Sequence, residues 1–441
     1  MDLFIRRPKF SLLLLTGIAL FAFWLTIPLP RSDNQLVGSD GTYYYVYLPS
    51  FWLDHDFDFT DEYRYFLPKA DFSDSVLPPN KFTIGAPLLW TPFFILGHLI
   101  VWLLNFFRGV DLPMDGYGYI YQAFTLSGSI LYGGLALWFT YEFVKQSTKQ
   151  SAALLATILT VFGGNLVYYM IAEPSMSHTV SAACSSLFFL VWSRRRERLD
   201  LKTAGLYGLI AGLMALVRPQ DGLFLMLPFL AQLPDVWRSV KESNKMWMVW
   251  LRNGFAAAMI AFSVFSLQLF VWNNMYGGLF RSGYSHEAFY WFTPKLGAVL
   301  FSAYRGLFTW HPVYLLSVIG LVLLYRRDKI LSVVGLSGFV IQWYVVGSWH
   351  SWYQGDAFGG RMFIVCLPLF ALGLAYLIER LEERFTTFAW IYGLSALLLL
   401  ANFLLFVEYR FDLVLREVPP TWFDITLRRF TFVLEKINQL L

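Results

Sequence analysis

The residues able to do chemistry in this chain are few, and they sit in short polar breaks between long apolar runs. Ser39-Asp40-Gly41-Thr42 offers a carboxylate that can accept a proton from an attacking hydroxyl. Its plainer reading is an Asx-type turn beside interfacial tyrosines. Glu173-Pro174-Ser175-Met176-Ser177-His178 sets an acid and a histidine in one tight turn. Ionisable groups at a membrane edge are costly without a task, although Ser177 would equally cap a helix there. Val217-Arg218-Pro219-Gln220-Asp221 interrupts an apolar stretch with two opposite charges. They either neutralise each other or leave Arg218 as a fixed positive charge in a cavity. Tyr304-Arg305 leads to His311, and Arg281 and His286-Glu287 precede them. A guanidinium is planar, permanently charged and forked, so Arg305 suits a phosphate. It serves equally as an interfacial anchor. The densest polar and aromatic run is Trp349-His350-Ser351-Trp352-Tyr353-Gln354, continuing as Gly355-Asp356-Ala357-Phe358-Gly359-Gly360-Arg361. Its rings can stack on a sugar, and its Asp, His and Arg supply directional bonds. An aromatic belt accounts for the rings, but not for Asp356, Arg361 and the glycines between them.

Asp54-His55-Asp56-Phe57-Asp58 is material for a hard cation. Short Asp-rich turns are common, so no cofactor is assigned and a divalent metal is left open. P-loop, GxGxxG, GxSxG and HExxH motifs are absent, which disfavours a nucleotide-driven machine. Cys184 and Cys366 lie in apolar runs without metal or disulfide spacing.

The elements that must position these groups are membrane spans. Hydrophobic residues make up 57% of the 441 and charged residues only 15%, against about 25% charged in soluble domains. Positive charge falls in six short breaks: Arg6/Arg7/Lys9, Lys145/Lys149, Arg194–Arg198 with Lys202, Arg238/Lys241/Lys245, Arg326/Arg327/Lys329 and Arg380/Arg384. The positive-inside rule puts all six in the cytoplasm, so an even number of crossings separates each pair. The expected fold is all-α and integral to a plasma (inner) membrane, with an uncleaved first span at about 10–29 and a cytoplasmic N-terminus. A long outer loop then runs over about 30–117. It holds the acids Asp33, Asp40, Asp54, Asp56, Asp58, Asp61, Glu62, Asp71 and Asp74, opposed only by Arg31, Arg64, Lys69 and Lys81. Residues 82–107, with Pro87, Pro92 and Gly97, read as an interfacial or re-entrant piece. Further spans are expected near 118–144, 151–171, 179–193, 203–217, 222–234, 247–272, 311–325, 330–348, 362–379 and 387–407, about eleven in all. All six histidines and the polar breaks above then reach the outer face. Residues 1–380 form the main module, and 381–441 a last span with an amphipathic tail.

The order of these pieces resembles the GT-C superfamily of membrane glycosyltransferases. The likeness rests on Asp40 soon after span 1, the long outer loop, Glu173 in the next outer loop, the Arg218-Pro219 break and Gly355-Asp356 through Arg361, over roughly 10–380. It is similar to bacterial family 39-like members. The resemblance implies transfer of a sugar from a polyprenyl-phosphate donor to a glycan, lipid or protein acceptor at the extracytoplasmic face. Membrane lipids would be partners and nucleic acid would not. It implies Asp40 as general base or orienter of the acceptor, Glu173 as a group placing the acceptor or a cation, and one or more of Arg218, Arg305 and Arg361 on the leaving phosphate. His178, Asp221, His311, His350 and Asp356 complete the expected binding set. Glu-Pro-Ser-Met-Ser-His in place of a paired Asp-x-Glu points away from the oligosaccharyltransferase branch. The other class carried forward is a multi-pass transporter or lipid flippase, which would show inverted repeats.

Overall fold

A computed structural model describes residues 7–27, 35–69, 79–198, 200–242, 245–281, 283, 287–384, 389–411, 414, 418–428 and 430–431. Arg6, Arg31, Asp33, Asp71, Asp74, His286 and most of the expected tail lie outside them. The longer helices, in chain order, are α1 (Pro8–Thr26), α2 (Asp40–Tyr45), α3 (Thr60–Phe66), α4 (Gly85–Arg108), α5 (Tyr119–Val144), α6 (Gln150–Phe162), α7 (Leu166–Ile171) and α8 (His178–Arg195). They continue as α9 (Leu201–Val217), α10 (Met226–Lys241), α11 (Met246–Tyr276), α12 (Pro312–Leu324), α13 (Lys329–Ser348), α14 (Leu367–Arg384) and α15 (Ala389–Arg410). Among the described residues seven helices are long and apolar enough to cross a membrane, and no strand forms. Helical structure is the only open arrangement that satisfies its own backbone polar groups in lipid. On α1, Phe10, Leu13, Phe21 and Leu25 are exposed while Leu12, Ala19 and Phe23 are buried. A helix apolar on every side needs an apolar solvent.

Charge gives the bundle two unlike ends. Lys9 lies over the Trp138 ring. Lys145 and Arg194 share Glu142, at 2.5 and 3.3 Å. Arg196 pairs with Asp328 at 3.1 Å, and Arg327 with Glu379 at 3.1 Å. Gly208 packs on the Ala257 backbone and Gly212 on Ala261, so α9 and α11 run side by side in one direction and Lys245 joins the same end. The basic breaks scattered through the sequence therefore gather in space.

At the other end the polar breaks meet. Helices α12 and α14 descend from it in parallel, with Gly320 against the Gly373 carbonyl. A Cβ on either glycine would strike the partner backbone, so this crossing requires residues without side chains.

Helix α4 differs from the piece expected at 82–107. It is one continuous 24-residue helix despite Pro92, and it is one of the seven with the length and apolarity to cross. It runs antiparallel to the first half of α5: Tyr132 donates to the Leu89 carbonyl (2.9 Å), and His98 meets the Tyr121 hydroxyl (2.8 Å). Its first turn abuts Leu216 and Val217 at the mouth of the Arg218 break, and it leads away from the basic end.

Candidate functional site

The end opposite the basic residues encloses a cavity of about 370 Å³, within the usual size of small-molecule sites, about 300–1,000 Å³. Asp40, His178, Arg218, Arg361, Lys81 and Glu287 supply its polar groups. Tyr44, Phe82, Trp272, Phe289, Trp349, Val345, Val346 and Met362 supply an apolar wall.

Asp40 opens α2, preceded by Ser39 at φ +55°, a left-handed conformation that side chains resist. The strained residue turns the chain so that α2 starts at the cavity. Gly41 touches Ser175, and any Cβ there would overlap it. Ser177 donates to the Tyr44 hydroxyl at 3.0 Å. The first two polar breaks thus form one surface. Arg361, at the start of the turn Arg361–Cys366, binds Asp40 at 3.1 Å. The Arg361 side chain is 8% exposed and the Asp40 side chain 35%, so the carboxylate remains within reach of a ligand. The Arg361 Nε is buried and has no partner.

Arg218 ends α9 and is 8% exposed. One terminal nitrogen lies 2.6 Å from His178 Nδ1, and the other contacts the Met362 sulfur. Guanidinium can only donate, so His178 accepts at Nδ1 and carries its proton on Nε2. No carboxylate pairs with Arg218 among the described residues, although Asp221 follows three positions later. Asp221 turns inward, is 1% exposed and accepts from Ser181 at 2.5 Å. Asp221 acts on Arg218 only at a distance, so the guanidinium has no direct carboxylate contact among the described residues and can take an anion in the cavity.

Across the cavity Glu287 accepts from Lys81 (2.8 Å) and from the Trp349 indole (2.7 Å), with His350 at 3.5 Å. Burial opposes this carboxylate, but the Lys81 and Trp349 hydrogen bonds outweigh it and hold it below the ordinary glutamate range. It ties the segment after α3 to the loop before α12. His350 touches the cavity only through Glu287 and does not line it.

The remaining expected residues lie behind the cavity. Glu173 is buried, accepts from Tyr168 at 3.2 Å and interacts electrostatically with Arg361. Arg305, 3% exposed at φ +67°, donates to the Ala357 carbonyl (3.1 Å) and meets Asp356 at 3.5 Å. Asp356 also accepts from Tyr409 at 2.6 Å. His311 is fully buried between the Gly359 carbonyl (3.1 Å) and Asn402 (2.9 Å). Arg305, Asp356 and His311 form a second cluster that braces the Gly355–Arg361 turn from below. None of them lines the cavity.

The Asp-rich turn binds itself. Asp56 accepts from Ser50 and from the Asp58 amide, and Asp58 from Thr60. Among the described residues no group of three His, Cys, Asp or Glu is arranged to hold a metal. Beside this turn, Glu62 is 1% exposed and neither carboxylate oxygen has a hydrogen-bond partner. Burial, with Asp54, Asp56 and Asp61 adding to it, pushes Glu62 up to about 8.

Sequence reasoning missed the Lys81–Glu287 pair, Trp272 and Gln342. Lys81 read only as a base among acids, and no spacing rule connects position 81 with 287. The chain matches no protein-family model and no curated protein.

Proposed function

We propose that this protein is a membrane glycosyltransferase that moves a sugar from a polyprenyl-phosphate donor to an acceptor hydroxyl, with Asp40 as the base. Eleven crossings would place the basic end in the cytoplasm and the cavity at the extracytoplasmic face: α1, α5, α6 with α7, α8, α9, the Pro219–Leu225 turn with α10, α11, α12, α13, the Arg361–Cys366 turn with α14, and α15. In this topology α4 does not cross. It starts level with the Arg218 break and pairs with the outer half of α5.

The observation that carries the reading is the pairing of functions in one cavity: an accessible carboxylate, Asp40, and a buried guanidinium, Arg218, with no carboxylate within ion-pair distance among the described residues. Glycosyl transfer from a lipid phosphate needs these two parts. The acceptor oxygen forms a bond to the anomeric carbon. The bond from that carbon to the phosphate oxygen breaks, and its electron pair leaves with the polyprenyl phosphate. The acceptor's proton passes to Asp40. Single displacement inverts the anomeric centre. Fixed cations stabilise charge where it builds, a role that suits Arg218 and Arg361. The apolar wall of Trp272, Val345, Val346 and Met362 suits a prenyl chain reaching the phosphate from the membrane. By this account Glu173 supports Arg361 from behind, and Arg305, Asp356 and His311 hold the loop that presents it.

The test is to reconstitute the protein in liposomes with a panel of polyprenyl-phosphate sugars and candidate acceptors, and to measure release of polyprenyl phosphate. Release from at least one donor is expected. A panel in which no donor is bound or consumed removes the reading and favours a transport assay.

A further inference from the structure

The proposed base is occupied. Arg361 sits on Asp40 at 3.1 Å, so the carboxylate that would take the acceptor's proton is already engaged by a guanidinium. The pair is also the only contact that ties Arg361 to an anion within ion-pair distance among the described residues. Its Nε is buried and unpartnered, and a terminal nitrogen reaches the edge of Gly355, so the guanidinium uses only part of its fork. Arg218, which contacts the Met362 sulfur, has no carboxylate within ion-pair distance among the described residues. A phosphate drawn to Arg218 therefore enters a cavity whose second guanidinium is held by a single carboxylate. Bidentate phosphate contacts are stronger than one such contact.

We infer that Arg361 is exchanged between Asp40 and the phosphate of the donor, so that donor binding releases the base. The inference rests on the transferase reading and adds an order to it. An anionic lipid donor binds first, Arg361 moves onto its phosphate, and only then can Asp40 accept a proton from the acceptor. Without donor the base stays paired with Arg361. The polyprenyl phosphate product keeps Arg361, so product must leave before the pair re-forms.

Exchange has a signed consequence that simple support does not have. Asp40 and the phosphate compete for Arg361, so Asp40→Asn should tighten phosphate binding while abolishing transfer. Loss of like-charge repulsion would also tighten binding, and a double-mutant cycle separates the two. The experiment measures farnesyl phosphate binding to the purified full-length protein, its D40N and R361Q variants and the double variant. Inorganic phosphate and farnesol serve as separate arms to distinguish a lipid phosphate from a free one. Exchange predicts roughly tenfold tighter binding in D40N, and a change under about twofold when D40N is added to R361Q. Equal tightening in both backgrounds, or no tightening in D40N, overturns it. R361M, which keeps the bulk without the charge, replaces R361Q if the latter does not fold; under exchange it likewise removes most of the D40N effect, and an undiminished effect overturns the proposal. If the wild type binds farnesyl phosphate without the D40N effect, the order fails while the transferase reading stands. If the wild type binds no prenyl phosphate, both fail.

Discussion

Arg218 keeps a charge with no direct carboxylate partner, among the described residues, in a cavity that is mostly apolar. Such a residue trades stability for binding. Arg218→Met should raise the thermal midpoint of the ligand-free protein, because it removes a buried charge without a direct carboxylate partner. The same change should raise the donor KM by about tenfold or more, the worth of a charge-assisted hydrogen bond. A drop in stability with unchanged KM would make Arg218 a structural residue. Glu62 makes a second prediction at this scale. Its proton is held up to about pH 8 in the fold against an ordinary value of 4.5. A raised carboxyl favours folding while protonated, so its contribution is complete below pH 4.5 and declines as pH rises to about 8. Glu62→Gln should flatten the pH dependence of stability over that window, by up to about 1.4 kcal/mol per pH unit, as read from midpoints in detergent. An unchanged slope would place the titration elsewhere. Asp40 stood out in the sequence as an acid soon after span 1, and His178, Arg218 and Arg361 as polar groups in short breaks between apolar runs, where a charge without purpose is costly. Arg305, Asp356 and His311 carried the same signal. Only packing reveals that their polar atoms are spent on Ala357, Tyr409 and Gly359.

Elements set the positions of these side chains through close approaches. Gly41 lets α2 lie on Ser175, which joins Asp40 to the His178 turn. Gly41→Val should separate the two loops and reduce transfer by roughly a hundredfold, the scale of misplacing a reacting group by about an ångström, while the helical content by circular dichroism stays near that of the wild type. Full activity would show that the loops need no contact. The apolar runs made most helices readable, and their basic breaks fixed which ends belong together. Helix α4 was less legible. A full crossing would put Lys145 and Lys149 outside, so the proline-bearing stretch read as interfacial or re-entrant; yet Pro87 falls in the first turn, where its missing donor costs little, and Pro92 is absorbed by a continuous helix. The Lys81–Glu287 tie was invisible because it spans 206 positions, with helices α4 to α11 between the two residues in sequence.

For the whole molecule the central property is polarity. Basic breaks from α1 to α14 collect at one end and the cavity lies at the other. Both native cysteines are buried, so single introduced cysteines can be labelled on a silent background. Asp61→Cys should react with a membrane-impermeant maleimide on intact cells, and Arg198→Cys only after permeabilisation. The reverse pattern would invert the topology and put the cavity on the cytoplasmic side. The most direct test of the account compares wild type and Asp40→Asn in the same liposomes, with a polyprenyl-phosphate sugar that the wild type consumes. The account predicts that D40N still binds the donor but loses turnover by about 10²–10⁴, the usual worth of a general base. Turnover by D40N at the wild-type rate would contradict it.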